Sequence, residues 1–197
     1  MASLIYKNLF LYRLAMNLLY TGSYRNRFRP LIGLVTGKSV LELCFADTVI
    51  AEWCQKNSLK WTGFDINKKF VSCAEKKGFD AKLADLNSIE TLPRADVCIM
   101  AGSLYHFMGK ENRLFRIMLN ASPRIIISEP VRNLSAMKGP VGKIARNASA
   151  TGTGRADQRY DKESLLALLS DLSLQLGFNY MVTGSLKKDL IITLSKE

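Results

Sequence analysis

Apolar and polar positions divide the chain into two regimes. Across residues 3–36, Leu4, Leu11, Leu14, Leu18 and Leu19 recur near the helical repeat, which predicts a helical appendage. Thr21-Gly22-Ser23 interrupts it, and Pro30 opens a second helical piece over 31–35, closed by Gly37. From Ser39 onward short apolar runs alternate with helical segments. Strands are predicted at 40–43, 61–66, 79–83, 95–101 and 124–128. Helices are predicted at 48–55 with Asp47 as N-cap, at 68–77 closed by Gly78, and at 110–121. The run 95–101 is almost unbroken in its apolar character, as a strand buried on both faces requires. A last helix at 161–176 is ended by Gly177, and 178–182 with 190–194 forms an antiparallel pair at the sheet edge, joined through residues 183–189. This alternation predicts an α/β fold with a mostly parallel sheet and helices on both faces. Residues 37–197 form one domain and residues 1–36 an appendage placed to act as a lid.

Composition narrows the class. At 48% hydrophobic residues the chain reads as globular, and no apolar run has the roughly 20 residues of a membrane span. Cys44, Cys54, Cys73 and Cys98 show no C-x-x-C spacing and sit in apolar patterns, so reduced core thiols are expected, without a metal. The N-terminus lacks the pattern of a signal peptide, and a cytoplasmic protein is the expectation. The net charge of +11 is uneven. Residues 1–36 hold five basic residues and no acid, and residues 137–160 hold five basic residues and one acid. Both flank the regular α/β pattern, and a positive rim attracts anionic partners. The second segment belongs to a Gly-, Ser- and Thr-rich loop over 133–160, of a length usually reserved for function.

Candidate chemistry lies at the strand ends. Glu42, Asp65 and Asp85 follow one another at the C-terminal ends of the first three strands, 23 and 20 residues apart. Ligands of open parallel sheets bind outside those ends. Asp65 can accept from two ribose hydroxyls, Asp85 from an adenine amino group, and the Leu86 N–H can address a ring nitrogen. Glu42 can balance a cationic group above the first turn.

Val40-Leu-Glu-Leu43, Gly63-Phe-Asp-Ile-Asn67, Ala84-Asp-Leu86 and Ala95-Asp-Val-Cys-Ile-Met100 resemble the successive motifs of class I S-adenosylmethionine-dependent methyltransferases, over about residues 38–130. The resemblance implies a Rossmann-like seven-stranded sheet of order 3-2-1-4-5-7-6 with strand 7 antiparallel, and S-adenosyl-L-methionine as cofactor. It implies that Asp65, with Ile66 beside it, holds the ribose, that Asp85 and Leu86 hold the adenine, and that Ala101 and Ser103 lie beside the methionine part. One departure stands out. The family's first turn follows G-x-G-x-G, and here Cys44, Ala46 and Thr48 occupy the glycine places. Neither Cys nor Ala tolerates positive φ well. The missing glycines also argue against an NAD(P) site.

His106, the one histidine, follows the fourth strand and is suited to take a proton near neutral pH if the acceptor is a hydroxyl. Glu129 at the end of the fifth strand is the second candidate base. Tyr24, Tyr105, Arg155 and Arg159 are candidate acceptor-binding residues, the arginines for a carboxylate or phosphate. The leading expectation is methyl transfer to a small or medium, anionic acceptor. Two alternatives stand beside it. An RNA methyltransferase would use the interleaved aromatics and cations of residues 20–29 to stack bases and grip a backbone. A non-catalytic binding protein on the same fold would explain the missing glycines. The same aromatics also suit packing on the main domain or contact with an anionic membrane surface. Oligomeric state has no sequence signal.

Overall fold

A computed structural model describes residues 6, 8–131 and 159–196. Helix α1 (Leu9–Leu19) begins at Asn8, whose side chain accepts the Phe10 N–H. A 3-10 turn (Arg25–Phe28) leads into α2 (Arg29–Ile32), a single turn started by Pro30 and shorter than the pattern predicts. The α/β unit follows as β1 (Ser39–Leu43), α3 (Val49–Lys56), β2 (Lys60–Asp65), α4 (Lys68–Glu75), β3 (Asp80–Leu83) and β4 (Val97–Ala101). A 3-10 turn (Leu104–Phe107), α5 (Glu111–Ala121) and β5 (Arg124–Pro130) come next. Helix α6 (Lys162–Leu176), β6 (Phe178–Leu186) and β7 (Asp189–Lys196) complete the described chain.

The seven strands lie in the order β3-β2-β1-β4-β5-β7-β6. Pairing is parallel from β3 to β5, and β7 runs antiparallel to both β5 and β6. This is the order the resemblance implies. Strand β4 is buried on both faces at the sheet centre, as its unbroken apolar run requires. Helices α5 and α6 cover one face, with Phe115, Met118, Leu165 and Leu169 packed on Leu41, Leu43, Met100 and Ile127. The opposite face carries α3 and α4 together with the appendage.

Two local expectations need correction. Thr48, not Asp47, occupies the N-cap of α3, and it makes no side-chain cap bond. The Asp47 carboxylate is taken instead by the Arg13 guanidinium, at 2.9 and 2.6 Å, while also accepting the Thr48 N–H. A bidentate guanidinium leaves little of a carboxylate for capping. The last two strands are also longer than predicted. Polar Thr183, Gly184 and Ser185 belong to β6, because an edge strand needs no apolar outer face, and only Lys187 and Lys188 remain as the turn.

The appendage is part of the core. Tyr12, Tyr20, Tyr24, Phe28 and Leu31 are buried against Ile50, Ile99 and Ile126. Tyr24 meets Phe28 and Tyr12 edge-on, at ring-centroid distances of 5.5 and 6.1 Å. Arg27 is buried beneath the turn after β4, where a side chain on Gly102 would strike its guanidinium. It pairs with Asp189 of β7 at 3.1 Å, and the Tyr20 hydroxyl donates to the same carboxylate. Tyr20, Tyr24, Arg27 and Phe28 are therefore withdrawn from the base-stacking role that the RNA alternative gave them.

Candidate active site

The first turn keeps the path that glycine would take. Cys44 has φ +56° and Ala46 φ +48°, both in the left-handed region. Two hydrogen bonds hold them there. The Cys44 N–H donates to the Phe64 carbonyl at 2.7 Å, and the Ala46 N–H to Asp65 Oδ2 at 3.0 Å. A left-handed non-glycine residue costs roughly 1–2 kcal/mol, against roughly 0.5–1 kcal/mol of extra chain entropy when glycine replaces alanine. Ala46→Gly is therefore expected to stabilise the protein by up to about 1 kcal/mol, read from the midpoint of chemical denaturation.

Asp65 joins two loops. Its Oδ1 accepts the Asn67 N–H at 2.8 Å while Oδ2 accepts from Ala46. Burial pushes its carboxyl up to about 6, against the pull of those two bonds. Ile66, next to it, is 50% exposed at the rim, free to face a ligand ring. Asp85 follows β3 and its Oδ1 accepts from the Asn87 N–H and side-chain amide. Leu86 is buried, and its carbonyl accepts from Arg113 of α5. Ser103 lies beside the Cys44 thiol, which burial holds well above its ordinary pKa. Cys44, Ala46, Asp65, Ala101 and Ser103 are thus gathered along the ends of β1, β2 and β4.

Glu42 is placed differently from expectation. Its side chain alternates with Leu41 and Leu43 and turns into the helical layer, where the Trp61 indole donates to Oε2 at 2.8 Å. The indole crosses Gly63, where any Cβ would collide with the ring. Burial raises the Glu42 carboxyl well above its ordinary range. It does not stand at the rim to balance a bound cation. Tyr24 is likewise set apart from the site, 1% exposed inside the aromatic core.

A second group lies beyond β4 and β5. Glu129 is wholly buried; Oε2 accepts the Leu104 N–H at 3.0 Å and so anchors the turn that carries Tyr105 and His106. Oε1 has no hydrogen-bond partner among the described residues. Burial pushes Glu129 up to about 7, partly offset by Arg159. His106 moves the other way. Burial and the Arg159 charge lower it to about 4. The expected near-neutral base is therefore a neutral imidazole at pH 7, and the group poised near neutrality is Glu129. The Arg159 guanidinium lies 3.3 Å from the centroid of the Tyr105 ring, and the His106 and Tyr105 ring centroids are 3.8 Å apart. Tyr160 fixes this end of the segment by donating to Glu111 at 2.6 Å, just before Asp161 caps α6. Arg155 lies outside the described residues.

Two site residues escaped the sequence reading. Tyr6 is held by its carbonyl, which accepts from the Asn67 side chain at 2.7 Å. Its ring packs on Tyr12 and Phe70, and its hydroxyl is hydrogen-bonded with Tyr105 near Asp65 and Cys44. No pattern marks a lone tyrosine before a helix. Lys188 sits in the β6–β7 turn over the Tyr20 ring, 4.1 Å from its centroid. Burial lowers it to about 8, and the charges of Arg27 and Arg159 act in the same direction. Its signal was topological, since an antiparallel strand 7 brings that turn to the same rim.

No family model matches the sequence, and no curated protein is a recognisable relative. Solved structures match the fold. Magnesium protoporphyrin IX methyltransferase from Synechocystis PCC 6803, with bound SAH, superposes with a TM-score of 0.65 at 16% identity, over 89% of this chain and 84% of that one. The plantazolicin methyltransferase BpumL, in complex with a pentazolic desmethylPZN analog and SAH, gives 0.64 at 12% identity, over 92% and 85%. DhpI in complex with SAH gives 0.60 at 18% identity, over 98% and 97%. The chain has the fold of class I S-adenosylmethionine-dependent methyltransferases.

Proposed function

We propose that the protein transfers a methyl group from S-adenosyl-L-methionine to a small or medium anionic acceptor. The observation that carries this reading is the first turn, in which Cys44 and Ala46 hold positive φ and the Asp65 carboxylate fastens the turn at the end of β2. The binding-protein alternative rested on missing glycines, and the retained path removes that ground. The donor set also fits the cofactor: a carboxylate for ribose hydroxyls at Asp65, a second for the adenine amino group at Asp85, the Leu86 N–H for a ring nitrogen, and exposed Ile66 beside the ring. Cys44, Ala46, Ala101 and Ser103 would line the methionine end. When bound, S-adenosyl-L-methionine supplies an electrophilic methyl on a sulfonium centre.

The remaining work falls to the chain. Arg159 and Lys188 attract a carboxylate or phosphate on the acceptor, and an anion there relieves their mutual repulsion. Tyr105, fixed beneath Arg159, forms a wall. Glu129 takes the proton that an O–H or N–H acceptor loses once the Tyr105–His106 turn that it anchors gives access to its buried Oε1, because a base titrating near neutrality is half-ionised and ready. His106, neutral at pH 7, positions the acceptor through a hydrogen bond instead of taking that proton. Tyr6, clamped by Asn67, excludes water from above the turn.

Calorimetry with S-adenosylhomocysteine tests the reading. Saturable heat with a stoichiometry of one, together with a rise in melting temperature, is expected. No heat and no thermal shift at millimolar ligand would overturn it.

A further inference from the structure

Helix α1 is apolar on nearly every side. Tyr12 and Ala15 face the core, and the outward arc carries Phe10, Leu14 and Leu18 with Leu11 beside them, exposed by 71%, 50%, 60% and 41%. Residues 10, 14 and 18 follow one another every fourth position, so with Leu11 they form a continuous stripe about 100° wide. A helix apolar all round is normally enclosed on every side. This one is fixed with its stripe outward, because Arg13, its one charged residue, is locked to Asp47 at 2.6 and 2.9 Å.

We propose that this stripe docks the protein on an anionic membrane surface, with α1 lying in the interface plane. Charge complementarity chooses the occupant. The first 36 residues contain five cations and no acid; Arg13, Arg25 and Arg27 are matched by Asp47, Glu52 and Asp189, so Lys7, Arg29 and the surplus of a chain carrying +11 supply the attraction. The acids packed around the appendage are already paired: Asp47 with Arg13, Glu52 with Arg25 and Lys77, and Asp189 with Arg27. Lys187 closes the C-terminal end of α1, its ammonium donating to the Tyr20 carbonyl and the Thr21 hydroxyl, and this adds positive charge beside the stripe. A second copy would bring another +11 against this face. A nucleic acid matches the charge but offers Phe10 and the leucines no apolar phase. An anionic bilayer interface offers both, and apolar burial with electrostatic attraction is the way interfacial helices bind. The docking is independent of the proposed methyl transfer.

The test is co-sedimentation of the full chain with phosphatidylcholine vesicles, with and without phosphatidylserine. Binding to the mixed vesicles only, weakened by raised salt, is expected. The double variant L14S/L18S changes exposed positions, so its circular dichroism and melting temperature should stay as in the parent, while vesicle affinity falls on the order of 10-fold or more. Equal binding to neutral vesicles, no binding to mixed ones, or a double variant that binds like the parent would each overturn the proposal. So would a lipid-free dimer, detected by light scattering, that the double variant dissolves, because the stripe would then belong to a second copy.

Discussion

Asp65→Ala is expected to weaken S-adenosylhomocysteine binding by about 100-fold or more in calorimetry, since two charge-assisted hydrogen bonds at roughly 1.5–3 kcal/mol each are at stake. The substitution removes more than the proposed ribose contact. Oδ2 steadies the Ala46 N–H and Oδ1 the Asn67 N–H, so one carboxylate sets both the left-handed first turn and the loop that clamps Tyr6. Asp65→Asn separates the two roles. It keeps an acceptor for one backbone N–H and the side-chain volume, so its melting temperature should stay nearer the parent while affinity still falls. The pH dependence has a definite sign. The buried carboxyl titrates at about 6 in the folded protein, and ligand hydroxyls favour its ionised form. Cofactor binding at pH 6 should therefore release protons, measured as a buffer-dependent heat, and affinity should decline below that pH. Parent-like affinity in Asp65→Ala would place the cofactor elsewhere.

Glu129→Gln should separate stability from catalysis. The carboxyl is raised from 4.5 to about 7, so the folded state holds its proton more tightly than the unfolded chain does. That contribution to stability is complete below about pH 4.5 and is lost as pH rises through about 7. By pH 8 the ionised, half-partnered carboxylate burdens the fold by about 3 kcal/mol, taking 1.36 kcal/mol per pH unit. The amide carries no such burden and still accepts the Leu104 N–H. Glu129→Gln should thus match the parent at pH 5 and exceed it at pH 8 in denaturant midpoint. In methyl-transfer assays it should lose about 100-fold or more in kcat, and the rise in rate through about pH 7 should vanish. A pH profile unchanged in the variant would assign the proton to another group.

The legible parts of the sequence were those where one requirement dominates. Burial on both faces writes an unbroken apolar run at β4, and alternation of strand and helix gives the sheet its order. Asp65 and Asp85 stand at strand ends because register and connection length put them there. Side-chain direction was less legible. Glu42 lies in the right strand, yet the pleat turns it to Trp61, and only the absence of a Cβ at Gly63 lets the indole reach it. Tyr24 offered an aromatic beside cations, a pattern that packing and ligand binding share. His106 and Glu129 were both legible as candidate bases, but not the direction of their shifts, because desolvation acts oppositely on a base whose charged form is cationic and an acid whose charged form is anionic. The first turn was hard to read for another reason: residue types report the cost of a conformation, and hydrogen bonds accepted by Phe64 and Asp65 meet that cost from outside the motif.

The bond from Tyr20 to Asp189 spans 169 positions, and Arg27 joins the same carboxylate. During synthesis, then, the aromatic side of α1 leaves the ribosome long before the strand that pins the appendage exists. The sheet centre can assemble early from β1, β2 and β4, but β7 must slot between β5 and β6 before the buried arginine gains its counter-ion. The inner side of α1 can pack early, because Arg13 meets Asp47 and Tyr12 meets Phe70, whereas Tyr20 and Arg27 wait for Asp189 through most of translation. Completion of the fold is a late, cooperative closure between distant parts of the chain.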